Sequence, residues 1–204
     1  MNFSKPLFMV TALMLSNSLL VGCQSANVSN SANASSSKPA AFVELDRTQS
    51  EFFDNLSKRC GQTFVGYSVF PDDPKHDFAG KQLVAKIASC SKNEIRIPFS
   101  VGEDHSRTWI ISKTANGLLL KHDHRHHDGT PDEITLYGGY AKAYEEQQPS
   151  QYQQFFHADA HTAELIPAAS SNVWMLQIEP QTGDLIYYLE RHQQPRYKAR
   201  LRQK

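Results

Sequence analysis

Four histidines fall within six residues in the segment Lys121-His122-Asp123-His124-Arg125-His126-His127-Asp128-Gly129, where the chain's chemically versatile side chains are most concentrated. On an extended strand His122, His124 and His126 share one face with Leu118 and Leu120, while Lys121, Asp123, Arg125 and His127 share the other with Leu119. The apolar count turns the histidine-bearing face inward, so its imidazoles would line the mouth of a cavity. Neutral imidazole is a good ligand for Zn, and ring neighbours two residues apart lie roughly 6–7 Å from one another, so two can converge on one ion. His122 and His126 would be about 13 Å apart on a straight strand, so three cannot. Any metal therefore needs a third ligand from elsewhere: the candidates are two neighbours among His122, His124 and His126, joined by Asp128, Glu133, His105, His157 or His161. Against it stands a purely structural reading, in which a strand end entering the turn Asp128-Gly129-Thr130-Pro131 carries mutually satisfied His–Asp and Arg–Asp pairs. A pH response is a third: unperturbed imidazoles titrate near pH 6.5.

Other reactive residues form no recognisable constellation. Gly102-Glu103-Asp104-His105-Ser106-Arg107 sets Asp, His and Ser side by side, but a nucleophilic triad is assembled from separate places. Neither Ser100 nor Ser106 lies in a Gly-x-Ser-x-Gly elbow. A hairpin loop with Arg107 against Glu103 or Asp104 is the simpler reading. Trp109 and Trp174 sit inside strand patterns and are expected in the core.

The elements that must hold these residues are short strands. Alternating or apolar runs cover 83–88, 95–99, 108–112, 118–124, 134–137, 154–157, 173–179, 185–190 and 196–202, separated by Gly-, Asn- and Asp-bearing turns. That spacing predicts an antiparallel meander, closed as a barrel, lipocalin-like in architecture only, or folded as a sandwich. One helix precedes it: Thr48-Gln49-Ser50-Glu51 has capping-box spacing, Phe52, Phe53, Leu56 and Cys60 recur at helical intervals, and Gly61 supplies a stop. Residues 160–166, before Pro167, suit a short helical turn. The basic tail Arg196-Tyr197-Lys198-Ala199-Arg200-Leu201-Arg202 alternates strictly, as a last strand with one wet face does, and no nucleic-acid partner is expected.

The first 23 residues have a different character. Lys5 precedes an apolar stretch too short to span a bilayer stably, ending in Leu20-Val21-Gly22-Cys23. This ending resembles the lipobox of bacterial lipoproteins, which implies a signal peptide over 1–22, diacylation of Cys23 and a membrane held through lipid (palmitate among the acyl chains). Gln24 after the cysteine resembles the pattern that permits sorting to the outer membrane, facing the periplasm. Residues 23–40 are then a Ser/Asn/Ala tether and 41–204 a single β domain. With Cys23 lipidated, Cys60 and Cys90 remain. An oxidising envelope favours a disulfide between them, contributing about 3–4 kcal/mol in the chain-entropy model. From Cys23 onward 20 basic residues face 21 acidic ones, which gives no reason to expect a polyanionic partner.

Three further resemblances bear on function. The histidine run resembles the His-x-His-x-Asp-His motif of metallo-β-lactamase-like hydrolases, but His126 stands where that motif has Asp, and the alternating strand–helix pattern is absent. Gly117, His122, His124 and Asp128 resemble the first cupin motif, though with shorter spacing, Asp for Glu and no second motif. The segments IRIPFSVGEDHSRTW (95–109) and LKHDHRHHDG (within 119–129) resemble an uncharacterised family of bacterial secreted proteins and lipoproteins over roughly residues 52–202, which implies no particular activity. The expectation is thus a membrane-anchored envelope lipoprotein, a non-enzymatic β-barrel binding or accessory module for a small ligand or an envelope protein. The alternative is a metal-binding protein or metal-dependent enzyme using His122 and His124.

Overall fold

The computed structural model describes residues 45–144 and 147–204. The leader, Cys23 and the tether lie outside the described residues.

One helix, α1 (Arg47–Ser57), precedes a run of strands: β1 (Thr63–Phe70), β2 (Leu83–Lys86), β3 (Ser89–Cys90), β4 (Glu94–Val101), β5 (Asp104–Thr114), β6 (Gly117–His124), β7 (Tyr137–Ala141) and β8 (Gln153–Ala158). A short helix α2 (Ala160–Leu165) and a 3-10 turn follow, then β9 (Asn172–Ile178), β10 (Leu185–Arg191) and β11 (Gln194–Gln203). From β4 to β11 every strand pairs antiparallel with the next in sequence. β11 then pairs with β1, β1 with β2, and β2 with β4, which closes ten strands into an up-and-down barrel. β3 continues the line of β2 along the same edge of β4. The choice between barrel and sandwich, open in the sequence, is settled by the β11–β1 and β2–β4 pairings.

Alternation puts one row of each strand into the lumen. Ile95, Ile97, Phe99 and Val101 point in from β4, Leu118 and Leu120 from β6, and Trp174, Leu176 and Ile178 from β9, all buried. Trp109 is clasped between Phe99 and Tyr187, with ring centroids 4.5 and 4.6 Å away. A second, smaller cluster lies on the outer wall, where Phe155, Val173, Met175 and Ile186 are covered by Tyr144.

α1 stops one end of the barrel. Phe52, Phe53 and Leu56 are buried in the lumenal core, and Gln49 bridges two strands, accepting from Leu118 N at 2.8 Å and donating to Ala141 O at 3.3 Å. The helix begins before the expected capping box: Asp46 is the N-cap, its carboxylate accepting from Gln49 N at 2.9 Å. Thr48 donates its hydroxyl to that carboxylate at 2.8 Å, because an Asp two residues upstream offers the stronger acceptor. Cys60 and Cys90 are joined, Cα to Cα 6.1 Å, tying the chain just past α1 to β3.

Strand β1 (Thr63–Phe70) is absent from the sequence expectation, and the run expected over 134–137 begins only at Tyr137. Close backbone approach explains Gly139: a Cβ there would sit 1.6 Å from His157 O across the β7–β8 pair. Gly139→Ala is expected to destabilise the fold by about 1–3 kcal/mol or more, read as a lower urea midpoint with unchanged slope. Gly61→Ala, where a Cβ meets nothing within 4 Å, would bear only the strain of a φ of +88°.

Candidate functional site

α1 meets the start of β6 and the end of β7; the opposite ends of these strands, at His124 and Tyr137, border an open cavity of about 620 Å³. Its floor is aromatic: Tyr137, Trp174, Tyr187 and Tyr197 line it. Each is placed by strand alternation, Tyr187 following Leu185 inward on β10 and Tyr197 preceding Ala199 on β11.

Under this floor a polar network is fully paired. His122, 3 % exposed, stacks on Tyr137 with centroids 4.7 Å apart. Its Nδ1 lies 3.2 Å from Tyr137 O; a carbonyl only accepts, so Nδ1 carries the proton and donates. Nε2 then accepts from the Tyr187 hydroxyl at 3.0 Å. Burial pushes the His122 pKa down to about 3 and the Tyr187 phenol well above its ordinary value. His124, half-buried, has its Nε2 3.0 Å from the Tyr137 hydroxyl; burial and then Arg107 lower its pKa, while burial raises the Tyr137 phenol to about 12. Tyr197 shares a hydrogen bond of 2.9 Å with Ser68 Oγ and is likewise raised to about 12 by burial. At neutral pH the floor is therefore polar but uncharged.

Charge sits on the rim. Arg191 donates to Asn172 Oδ1 at 2.8 Å, and Arg196 reaches the cavity from the start of β11. Asp77 and Asp132 line other sectors of it. His76 lies nearly parallel to Tyr197 at 5.4 Å, Phe78 meets the same ring edge-on at 5.4 Å, and the Arg107 guanidinium lies over Phe78 at 5.3 Å. Arg107 also pairs with Asp104, as its position in the loop suggested. Ile134, half exposed, adds an apolar lip. Non-glycine residues adopt a left-handed conformation at Leu136 (φ 55°), between the cavity residues Ile134 and Tyr137, and in the β10–β11 turn at His192 (φ 51°) and Gln193 (φ 57°).

The residues expected to hold a metal are not gathered into one set. β6 ends at His124, so the face shared by His122 and His124 does not reach His126. His126 is exposed, its Nδ1 4.0 Å from Asp132 Oδ2. Asp128 is exposed in a turn and accepts from Thr130 N and Oγ1 at 2.9 and 2.6 Å. Both nitrogens of His122 are engaged. His105, Glu133 and His161 are exposed, and His157 faces Tyr144 at 5.6 Å. Among the described residues no group of three or more His, Cys, Asp or Glu is placed to hold a metal ion. The cavity residues that sequence reasoning missed are Tyr137, Tyr187, Tyr197, Arg191 and Arg196. Their signal was available in part, since alternation in 185–190 and 196–202 already turned the tyrosines inward.

No protein-family model, curated protein or solved structure matches the chain.

The buried neutral His122 sets a sign for pH dependence. Below about pH 6.5 the unfolded chain binds a proton that the folded chain refuses until near pH 3. Stability should therefore fall as pH drops through that window, by at most about 1.4 kcal/mol per pH unit from this residue. His124 and His157, also shifted down by burial, act in the same direction. Urea midpoints between pH 7.5 and 5 should decline for the natural chain and decline less for His122→Asn. Equal slopes would mean that His122 titrates normally.

Proposed function

We propose that this chain is a bacterial envelope lipoprotein whose barrel is a binding module for a small molecule, seated in the cavity between Tyr137, Trp174, Tyr187 and Tyr197. The observation that carries the reading is a preformed concavity of about 620 Å³ with an aromatic, uncharged floor and charged groups only at its rim. Binding sites for small molecules have this composition: apolar and aromatic walls for affinity, a few placed polar groups for orientation. The satisfied His122–Tyr187 pair supports binding over catalysis, because a histidine that resists protonation down to about pH 3 is a poor proton shuttle near neutrality. A flat body with polar groups at its edge suits the site, its faces on the tyrosines and Trp174 and an anionic group near Arg196. Anchoring is supported by the lipobox-like Leu20-Val21-Gly22-Cys23. It is also supported by the cysteine count: Cys60 and Cys90 pair with each other, leaving Cys23 with no cysteine of its own chain to join.

Anilinonaphthalene sulfonate, an aromatic anion, is the probe we would titrate into the folded protein. Saturable one-to-one fluorescence enhancement is expected, weakened roughly fivefold to tenfold by Arg196→Ala and abolished by Leu189→Trp, which fills the cavity from its wall. Binding that survives both substitutions, or no saturable binding, would remove the cavity from consideration. Anchoring is read separately: expressed in a bacterium, the mature protein should begin at Cys23 and carry the mass of its acyl chains, and Cys23→Ala should leave the membrane fraction.

A further inference from the structure

Strand β1 reverses the usual rule of a barrel wall. Past Phe64 its inward row is small or polar, Gly66 and Ser68, while its outward row is Val65, Tyr67 and Val69. Tyr67 and Val69 are each 53 % exposed, and Phe70, at the strand end, 40 %. Close approach of β11 and the Tyr197 hydroxyl explain the small inward residues. A Cβ on Gly66 would fall 1.9 Å from Arg200 O, and Ser68 binds the Tyr197 hydroxyl. Nothing in the packing explains large apolar residues facing out.

The neighbouring strand supplies the missing context. β11 points Lys198, Arg200 and Arg202 outward, and the register sets Phe70 beside Lys198, Tyr67 beside Arg200 and Val65 beside Arg202. Arg200 is held by Asp184 at 2.6 Å, whereas Lys198 and Arg202 form no ion pair among the described residues. An apolar, partly aromatic row therefore runs alongside a row of cations, two of which, Lys198 and Arg202, have no ion-pair partner among the described residues. This combination matches the bilayer interface, where cations meet lipid phosphates and Tyr or Phe rings settle at headgroup depth.

We propose that the outer face of β1 and β11 rests on an anionic phospholipid surface. The proposal builds on the anchor read at Cys23: 21 residues separate Cys23 from Leu45, and a chain of that length spans at most about 75 Å whatever its conformation, so the barrel would be held near the bilayer. At such effective concentration a weak surface is occupied. A second copy of the chain is a poorer occupant, because like rows of cations would oppose each other. Nucleic acid would use the cations but leaves Val69 and Phe70 unexplained.

The test uses the lipidated full chain in vesicles of phosphatidylcholine alone or with phosphatidylglycerol added, with acetylation of Lys198 read against exposed Lys142 on the far side of the barrel. Labelling of Lys198 should fall about fivefold on the phosphatidylglycerol vesicles and recover in high salt. Arg202→Glu combined with Tyr67→Ser should restore labelling while the protein still floats with the vesicles. Equal labelling on both vesicle types, or protection indifferent to the double substitution, overturns the proposal. Protection of Lys198 by a free oligonucleotide as strong as that by vesicles would also overturn it, in favour of a polyanion site. A chain with no lipid on Cys23 would fail to float on phosphatidylcholine, which strikes the anchor alone. The same labelling with phosphatidylglycerol vesicles in excess then judges the face directly.

Discussion

Ten strands closed in a ring enclose more space than aliphatic side chains can fill, since about eight already give a lumen that side chains just pack. The interior is accordingly built from the largest residues available. Phe99, Trp109 and Tyr187 stack across it, Trp174 and Tyr137 close around His122, and α1 inserts Phe52, Phe53 and Leu56 from one end. What the aromatics and the helix leave unfilled is the cavity. The site is thus a remainder of the circumference, and its aromatic character follows from the residues needed to fill the rest.

His122 shows how that geometry decides chemistry. A single imidazole among rings, with a carbonyl on one nitrogen and a phenol on the other, satisfies buried polar groups that water cannot reach. The same surroundings make protonation costly, so the residue type that first suggested a metal or a proton shuttle serves as a structural joint. His124, one alternation further along β6, is where the strand meets the cavity and the polar environment begins.

The meander, the inward histidine face and the helix with its buried Phe52, Phe53 and Leu56 were readable from residue spacing, and the Cys60–Cys90 pairing from the cysteine count once the lipobox resemblance set Cys23 aside. Reading failed where a local pattern was overruled. Period-two alternation could not show that the strand stops at His124, because the loop after it is polar for reasons of its own: Asp132 N returns to His124 O, and Leu136 N to His122 O. β1 escaped detection because its apolar residues face outward and its inward positions must stay small against β11 and Tyr197. The cavity was invisible because it is made by ends of strands far apart in sequence, joined only when β11 meets β1. The cap of α1 moved to Asp46 because a carboxylate competes better than a hydroxyl for the first free amides.

The helical stopper and the covalent tie beside it have a consequence for traffic. Cys60–Cys90 fastens the chain leaving α1 to the wall, so the stopped end is not a door. The barrel is then a cup and not a pipe: any occupant would arrive and depart over the same lip, past Ile134, Phe78 and Arg191. Such a vessel can hold, shelter or hand over its contents, but no gradient along its axis can drive flow through it.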